Sequence, residues 1–391
     1  MNGEMEYIAC PICESENYSI VYECFQETGQ FLGRIKTTFV ICRDCGFMYM
    51  NPRFSRDVLK KYYQSSIHAS GRVYHDTTKN SSHVVRNKNR VHFFAGFITH
   101  DKGKILEIGC SKGEFIDMLQ LERWEKYGVE PSPISANEAK SKGIIVREGF
   151  IEDITFEKGS FDIICFFGLL EHIYDINNFM NIIDSIIKPG GLLWIEVPDS
   201  LKPVAQIAEY FSFEHLSHFI KATLCNFLYK HGFGNVVFDN TVTDSRIRVC
   251  AQKIDDKNLK QIRSDSAYSE LMESIEHYKI NKNLLENGIL QRFSLLTERW
   301  HKERTRLAIY GAGVHTLFLL NLLDLSDLVV AIIDSDPKKI GTPFLGWNIS
   351  SVAILEKGEI DAVIISSRAF QDEIYNKISK HNNLEIVKCY K

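Results

Sequence analysis

The chain has 391 residues, more than one ordinary hydrophobic core can serve, so two or three domains are expected. Hydrophobic residues make up 45% and charged residues 25% of the sequence, which excludes wholesale disorder, and the net charge of −4 argues against a general nucleic-acid coat. Because no apolar run approaches the roughly eighteen residues of a membrane span and no leader opens the chain, we expect a cytoplasmic protein without a membrane partner.

Five segments of different composition are predicted along the chain. Residues 1–50 hold four cysteines in two close pairs, and residues 51–103 are basic and are expected to form a helical lid. Residues 104–253 alternate short β-branched runs with helical patterns, which predicts a doubly wound parallel sheet flanked by helices. Residues 254–304 are predicted to be a long helical linker, and residues 305–391 a second, Rossmann-like α/β unit. The predicted fold class is therefore α/β.

Apolar, β-branched runs bounded by turn signals mark the predicted strands. In the central segment these are Lys104–Ile108, Lys126–Glu130, Phe161–Phe166, Leu192–Val197, Asn235–Phe238 and Arg246–Gln252. Three more are predicted in the C-terminal unit, at Leu307–Tyr310, Val329–Ile333 and Ala362–Ser366. Between the two regions, apolar residues at helical spacing predict one stripe on a long helix, made of Leu271, Ile275, Tyr278, Leu285, Ile289, Phe293, Leu296 and Trp300.

Two Cys-x-x-Cys pairs lie near the N-terminus, Cys10 with Cys13 and Cys42 with Cys45, separated by 28 residues. Two residues between cysteines let both thiolates turn around one ion, and two such pairs complete a tetrahedral site. Four thiolates leave no open coordination position, so we expect a structural zinc ion rather than a catalytic one. The other six cysteines are scattered, which favours a reducing compartment over a disulfide framework.

A glycine turn joins the first predicted strand of the central segment to a helix, within Ile105–Phe115. Gly109 permits a sharp turn, and Gly113 permits a ligand to lie against the backbone. Acidic residues accompany this turn, with Glu107 on the first strand and Glu130 at the end of the second. A dinucleotide-binding oxidoreductase is the alternative for such a loop, but the third glycine of its fingerprint is missing.

This succession resembles class I S-adenosylmethionine-dependent methyltransferases over roughly residues 100–252. The resemblance implies S-adenosylmethionine as the cofactor, with Glu107 at its amino end and Glu130 accepting hydrogen bonds from both ribose hydroxyls. It also implies that residues 151–153 bracket the adenine and that Asp153 takes its exocyclic amine. The implied cofactor set is Glu107, Gly109, Cys110, Gly113, Glu130, Ile151, Glu152, Asp153 and Phe167.

Two histidine-containing segments follow the strands predicted at Phe161–Phe166 and Leu192–Val197, at the sheet edge where ligands of α/β folds bind. They are residues 170–173, which contain His172, and residues 211–219, which contain Glu214 and His215. A histidine beside a carboxylate can remove a substrate proton near neutral pH. These three residues are therefore the catalytic candidates.

The whole arrangement resembles the nucleotide-sugar C-methyltransferases, which combine an N-terminal zinc domain, a methyltransferase domain and a C-terminal α/β domain. The resemblance implies that His215 removes the proton next to a keto group, that Glu214 assists it or binds a sugar hydroxyl, and that His172 polarises the keto oxygen. The Tyr-His of the family is replaced here by residues 212–213, Ser-Phe, and Tyr74 is the nearest candidate for its catalytic tyrosine. O- or N-methylation of another carbohydrate or polar metabolite stays open.

The basic segment predicts an anionic substrate. Eleven Lys and Arg side chains against three aspartates give residues 51–104 a net charge of +8, which suits a nucleoside diphosphate, and a solvated helical face is the alternative. In the C-terminal unit, Gly311 and Gly313 follow a strand, and Asp334 follows the next strand, 21 residues after Gly313. The resemblance implies that this unit helps to hold the nucleotide-linked substrate, with a structural or dimerising role as the alternative.

We therefore expect a zinc-stabilised, S-adenosylmethionine-dependent methyltransferase that acts on a nucleotide sugar. The alternative from another class is an RNA-binding zinc-ribbon methyltransferase, which the acidic charge of the remaining chain disfavours. The sequence leaves the oligomeric state open.

Overall fold

The computed structural model describes residues 5–27, 32–64, 82–204, 210–254, 266–337, 339–367, 370–381 and 383–390. Its contacts divide the chain into two compact units. The first comprises Met1–Gln26, Arg34–Pro203 and Phe211–Ile275, and the second comprises Glu27–Gly33, Val204–Tyr210 and Glu276–Lys391. Within the described residues, each helix is either too short or too polar to cross a lipid bilayer.

The N-terminal part of the first unit is built from short antiparallel strands. They are β1 (Met5–Glu6), β2 (Tyr18–Glu27), β3 (Arg34–Cys42), β4 (Met48–Met50) and β5 (Arg53–Phe54). β2, β3 and β4 lie side by side in one sheet, and β1 pairs with β5. The last residues of β3 and all of β4 are buried, so this sheet contributes to the same core as the central sheet that follows.

In the described residues of the predicted lid segment, 51–64 and 82–103, there are two helices, α1 (Arg56–Gln64) and α2 (Ser82–Phe94). Tyr74, the candidate for a catalytic tyrosine, lies outside the described residues.

A seven-stranded sheet forms the centre of the first unit. Along the chain its elements, with the helices between them, are β6 (Gly103–Ile108), α3 (Glu114–Met118), β7 (Trp124–Glu130), α4 (Pro133–Ser141), β8 (Ile145–Glu148), β9 (Phe161–Phe167), α5 (Ile176–Ile186) and β10 (Ile187–Pro198). There follow β11 (Ser217–His218), which joins β4 of the N-terminal sheet, and then α6 (Lys221–Lys230), β12 (Phe233–Phe238) and β13 (Arg246–Lys253). The strand order is β12-β13-β10-β9-β6-β7-β8.

The central sheet is mixed, whereas the sequence predicted a parallel one. β13 runs antiparallel to both of its neighbours, β10 and β12. The reason is the short connection between β12 and β13, because parallel neighbours need a crossover of a dozen or more residues. The edge strand β8 was not predicted, since its four residues are mostly exposed and lack an apolar run.

The strand order reverses between β6 and β9. From β6 the chain moves outward through β7 and β8, and it returns to place β9 and β10 on the other side. The carboxyl ends of β6 and β9 therefore flank the crevice where ligands of open α/β sheets bind.

The second unit contains a four-stranded parallel sheet in the order β15 (Val329–Ile333), β14 (Leu307–Tyr310), β18 (Ala362–Ile365) and β19 (Glu385–Lys388). Helix α7 (Ala267–Glu303) precedes it and buries the predicted stripe at Ile289, Phe293 and Trp300 against this unit. Its elements are β14 (Leu307–Tyr310), α8 (Val314–Leu322), β15 (Val329–Ile333), the hairpin of β16 (Pro343–Phe344) and β17 (Trp347–Asn348), then β18 (Ala362–Ile365), α9 (Gln371–Ile378) and β19 (Glu385–Lys388). β19 is a fourth strand that the sequence analysis missed, because all four of its residues are only half-buried.

Candidate active site

The two cysteine pairs come together from the segment before β2 and from the turn between β3 and β4. The Sγ atoms of Cys10 and Cys45 are 3.5 Å apart, as are those of Cys13 and Cys42. All four thiols lie within 4.8 Å of one another. Four sulfurs held at ~2.3 Å from a tetrahedral zinc would be ~3.8 Å apart, so the observed spacing fits one ion.

Glu107 is a buried acid near the end of β6. Burial raises the pKa of its carboxyl to about 8, although the charge of Arg90 acts in the opposite direction. Its Oε2 atom has no hydrogen-bond partner among the described residues. A buried carboxylate oxygen without a donor is costly, and an ammonium group would supply both a donor and counter-charge. Glu107 therefore fits the amino end of S-adenosylmethionine.

The turn after β6 uses two glycines for different reasons. Gly109 and Gly113 both have a φ of +71°, a left-handed conformation that favours glycine. A Cβ on Gly109 would meet only the Leu169 side chain, at an ordinary 3.7 Å, so this turn leaves room for a ligand. A Cβ on Gly113 would lie 2.3 Å from Ile144 Cδ1, so packing already accounts for this glycine without the close ligand approach that the sequence suggested.

Glu130, at the end of β7, holds this turn in place. Its carboxylate accepts hydrogen bonds from the backbone N–H groups of Ser111 and Ser132, each at 2.9 Å. A carboxylate has about four acceptor positions, so ribose hydroxyls can still be accommodated. Cys110 is buried, and its Sγ would lie 2.5 Å from a Cβ on Gly128, so its side chain packs against β7 and its contact with the cofactor stays a prediction.

The predicted adenine-binding residues form a short 3-10 turn, Ile151–Asp153, beyond β8. Ile151 is buried and Glu152 is half-buried. The Asp153 carboxylate lies 3.3 Å from Lys60 Nζ of α1, and both side chains are about half exposed. Helix α1 thus covers this turn from the side of the predicted lid, and the contact of Asp153 with adenine stays a prediction.

Phe167 ends β9 inside an aromatic cluster. Its ring meets that of Phe115 edge to face with 4.6 Å between centroids, and the Arg90 guanidinium lies 4.5 Å above it. Phe167 therefore connects the glycine turn, through Phe115, with a buried arginine.

The three catalytic candidates come together although His172 and Glu214 are 42 positions apart in the sequence. The rings of His172 and His215 are 4.8 Å apart and nearly perpendicular. His172 Nδ1 lies 3.0 Å from the backbone oxygen of Glu214. Both segments lie beyond the carboxyl end of β9, because residues 170–172 form a 3-10 turn there and the Leu216 N–H donates to the Glu171 oxygen at 2.8 Å.

The contacts of His172 assign its protons. A carbonyl oxygen can only accept, so Nδ1 carries the proton that it shares with Glu214. The other nitrogen, Nε2, lies 3.9 Å from Oε1 of the buried Glu171. Nε2 therefore faces a buried carboxylate that would pair with the ring in its charged form.

Family models match two parts of the chain. A model described as a methyltransferase domain matches residues 82–237, and a model described as C2185-like, N-terminal, matches residues 303–387. The chain therefore carries an S-adenosylmethionine-dependent methyltransferase domain. The predicted class I α/β fold is confirmed for this part.

Curated relatives of the methyltransferase domain include enzymes with different acceptors. The C-methyltransferase NovU of Streptomyces niveus is 24% identical over 200 residues, which are 49% of this chain and 45% of that protein. A ubiquinone biosynthesis O-methyltransferase of Rhizobium etli is 26% identical over 111 residues, which are 27% of this chain and 45% of that protein. The chain thus spans less than half the length of these relatives. A solved Thermotoga maritima structure, described as a possible histamine N-methyltransferase, has 19% identity and a TM-score of 0.36, covering 43% of this chain and 89% of that one.

Two tyrosines that the sequence analysis did not select contact the catalytic candidates. The Tyr62 hydroxyl donates a short hydrogen bond to Glu214 Oε1. The Tyr63 hydroxyl lies 3.3 Å from His172 Nδ1. Both tyrosines belong to α1, which lies before the residues matched by the methyltransferase model. The sequence signal for them was their position at the end of an amphipathic helix in the basic segment. That signal does not reveal their pairing with residues more than 100 positions away, which is a tertiary contact.

The N-terminal sheet supports the loop that carries Glu214 and His215. β11 pairs antiparallel with β4, matching Ser217 with Tyr49, and the Met50 N–H donates to the Leu216 oxygen at 3.0 Å. His218 in β11 is buried, and burial lowers its pKa to about 3. A neutral, buried His218 is thus part of this support. The cysteine-bearing sheet therefore holds, through β4, one side of the loop that carries Glu214 and His215.

Proposed function

We propose that the protein transfers a methyl group from S-adenosylmethionine to a carbon atom of a nucleotide-activated keto sugar. The observation that carries this proposal is the meeting of two histidines and a glutamate, with ring centroids 4.8 Å apart, beside the cofactor crevice of the methyltransferase domain. Carbon methylation needs a base for a C–H bond and a donor for a keto oxygen, and this cluster offers both. Similarity to a C-methyltransferase supports the same acceptor atom.

The two histidines have different roles in the proposed reaction. His215 takes the proton from the carbon next to the keto group, and the electrons of that bond move toward the keto oxygen, where the Nε2 proton of His172 stabilises the enolate. Bound S-adenosylmethionine supplies an electrophilic methyl group to the enolate carbon. Glu171 pairs with the charge on His172, and Tyr62 fixes the orientation of Glu214 toward a sugar hydroxyl or toward His215.

We also propose that the four-cysteine cluster binds a structural zinc ion. Its thiol spacing and its closed set of four sulfurs support a structural role, since no position is left for a substrate. The cluster lies on the sheet that holds β11, so the ion would act on catalysis by stabilising that sheet.

The C-terminal unit is proposed to be a Rossmann-like domain over residues 305–391, supported by its parallel sheet and by Gly311 with a φ of +122°. Asp334 accepts a hydrogen bond from the Ala312 N–H at 2.9 Å and lies 3.1 Å from Lys339 Nζ. Because its carboxylate is engaged by its own loop, these contacts favour a structural role over binding of a dinucleotide ribose.

Deuterium exchange separates carbon from oxygen or nitrogen methylation. The wild type, saturated with S-adenosylhomocysteine, is incubated in D2O with nucleotide 4-keto sugars, and the sugars are analysed by mass spectrometry. We expect deuterium at the carbon next to the keto group with the wild type and with His100→Asn, an exposed control, and none with His215→Asn. Methylation without any exchange would contradict the proposed carbon chemistry and favour an O- or N-methyltransferase.

A further inference from the structure

Four arginines lie around one buried glutamate of the central sheet. Glu196, near the end of β10, is directly across from Arg248 on β13, and Arg246 is across from Pro198. Arg86 and Arg90 come from α2, one helical turn apart. In the sheet, β10 and β13 lie on one side of β9 and the strands of Glu107 and Glu130 on the other, while Arg90 of α2 also contacts Phe167 at the end of β9.

Two of the arginines are neutralised completely. Arg90 donates from Nε and Nη2 to Glu196 Oε1 at 3.1 and 2.6 Å. Arg248 donates from the same two nitrogens to Glu196 Oε2 at 2.9 and 2.7 Å, and from Nη1 to Asp239 at 2.7 Å. Burial alone would raise the pKa of Glu196, yet Arg90 and Arg248 hold it below its ordinary value. The carboxylate is thereby saturated, with both oxygens bound bidentately.

The other two arginines are left with less counter-charge. Arg246 Nε is 3.7 Å from Glu196, and its closer partner, Asp244, is about half exposed. Arg86 makes no hydrogen bond or ion pair with any described residue, although it is half-buried. Burial and the charges of Arg246 and Arg90 lower the pKa of Arg86 to about 10. The cluster therefore has four guanidinium groups against three carboxylates.

We propose that Arg86 and Arg246 bind a phosphate group of the acceptor substrate. This inference rests on the proposed function, which calls for a nucleotide-linked sugar. Guanidinium groups match phosphate oxygens with two parallel hydrogen bonds, and partial burial strengthens such contacts. A phosphate at this place leaves the sugar to extend toward His172 and His215 at the end of β9, and it supplies the charge that the cluster lacks.

The test is calorimetric titration of the full chain, saturated with S-adenosylhomocysteine, with inorganic pyrophosphate. We expect binding to the wild type, and affinity about 10- to 100-fold weaker in Arg86→Gln and Arg246→Gln, because each loses charge-assisted hydrogen bonds worth about 1.5–3 kcal/mol. Arg86→Lys should keep part of the affinity. Arg123→Gln is the matched control, since Arg123 is exposed, pairs with Asp101 and precedes β7 at the other edge of the sheet.

Displacement of the pyrophosphate by a nucleoside diphosphate would assign the phosphate to a nucleotide, and displacement only by a sugar phosphate would assign it to the sugar. Both results support an anion site at these arginines. Equal affinity in wild type, Arg86→Gln and Arg246→Gln, or no binding of pyrophosphate to the wild type, would overturn the inference. S-adenosylhomocysteine affinity reports folding of each variant, and the deuterium exchange described above tests the proposed function separately.

Discussion

The buried carboxyl of Glu107 predicts a pH dependence of cofactor affinity. Its pKa of about 8 in the ligand-free protein means that about half of the molecules carry the charge at pH 8 and about one in a hundred at pH 6. The ammonium group of S-adenosylhomocysteine requires the charged form. If only that form binds, affinity falls about 50-fold between pH 8 and pH 6, and binding below pH 8 releases close to one proton.

Glu107→Gln removes the titrating group and should give weak affinity that does not change over this range. Glu125→Gln serves as control, because Glu125 is an exposed carboxylate at the start of β7 on the opposite edge of the sheet. Calorimetry from pH 6 to pH 8.5, in buffers with different ionisation enthalpies, measures both the affinity and the released proton. A flat wild-type profile, or the same slope in Glu107→Gln, would refute the placement of the cofactor amino group at Glu107.

The raised pKa of Glu107 also makes the stability of the ligand-free protein depend on pH. Below pH 4.5 the carboxyl is neutral in the folded and unfolded chain, whereas between pH 4.5 and 8 only the unfolded chain ionises. Stability of the ligand-free protein is therefore lost as the pH rises through this window, and Glu107→Gln should raise the melting temperature at pH 8.

Three further outcomes are expected. Tyr62→Phe should lower kcat about tenfold at unchanged S-adenosylhomocysteine affinity, since it removes one hydrogen bond to a carboxylate. Tyr7→Phe, at an exposed position, should have no effect on kcat. Equal rates in the two variants would exclude Tyr62 from the site. Cys42→Ser should abolish zinc, measured by elemental analysis, and lower the melting temperature, whereas a full metal content would contradict the four-sulfur site. Gly113→Ala should lower the free energy of unfolding in urea by about 1–3 kcal/mol more than Gly143→Ala does. Gly143 shares the positive φ, but a Cβ there would have no atom within 4 Å. Equal losses in the two variants would show that the close contact at Gly113 relaxes without cost.

The central strands could be predicted because buried strands of an α/β sheet are short apolar runs in the local sequence. Phe161–Phe167 and Leu307–Tyr310 are examples, each with most or all residues buried. The prediction that β13 runs parallel to its neighbours was wrong, since an apolar run carries no information about whether the neighbouring strand is parallel or antiparallel. Strand β8 was missed because an exposed edge strand has no apolar pattern.

The candidate site was predictable only where its residues occupy fixed places in the fold. Glu107 and Glu130 could be selected because they lie at or near the carboxyl ends of strands that the sequence predicts. Tyr62 and Tyr63 could not be found this way, because they reach Glu214 and His172 across more than 100 residues of chain. The predicted role of Gly113 was also incomplete, since its close neighbour, Ile144, lies directly before β8 and reaches Gly113 only through tertiary packing.

The pairing of β4 with β11 bears on where a minimal catalytic fragment can begin. The methyltransferase match starts at residue 82, which would suggest a fragment starting there. Such a fragment would lack β4 and both tyrosines of α1, leaving Ser217 and His218 as an unpaired strand edge next to the catalytic loop. Exposed strand edges invite association with other chains. A fragment cut at residue 82 should therefore retain the cofactor crevice but lose turnover and aggregate.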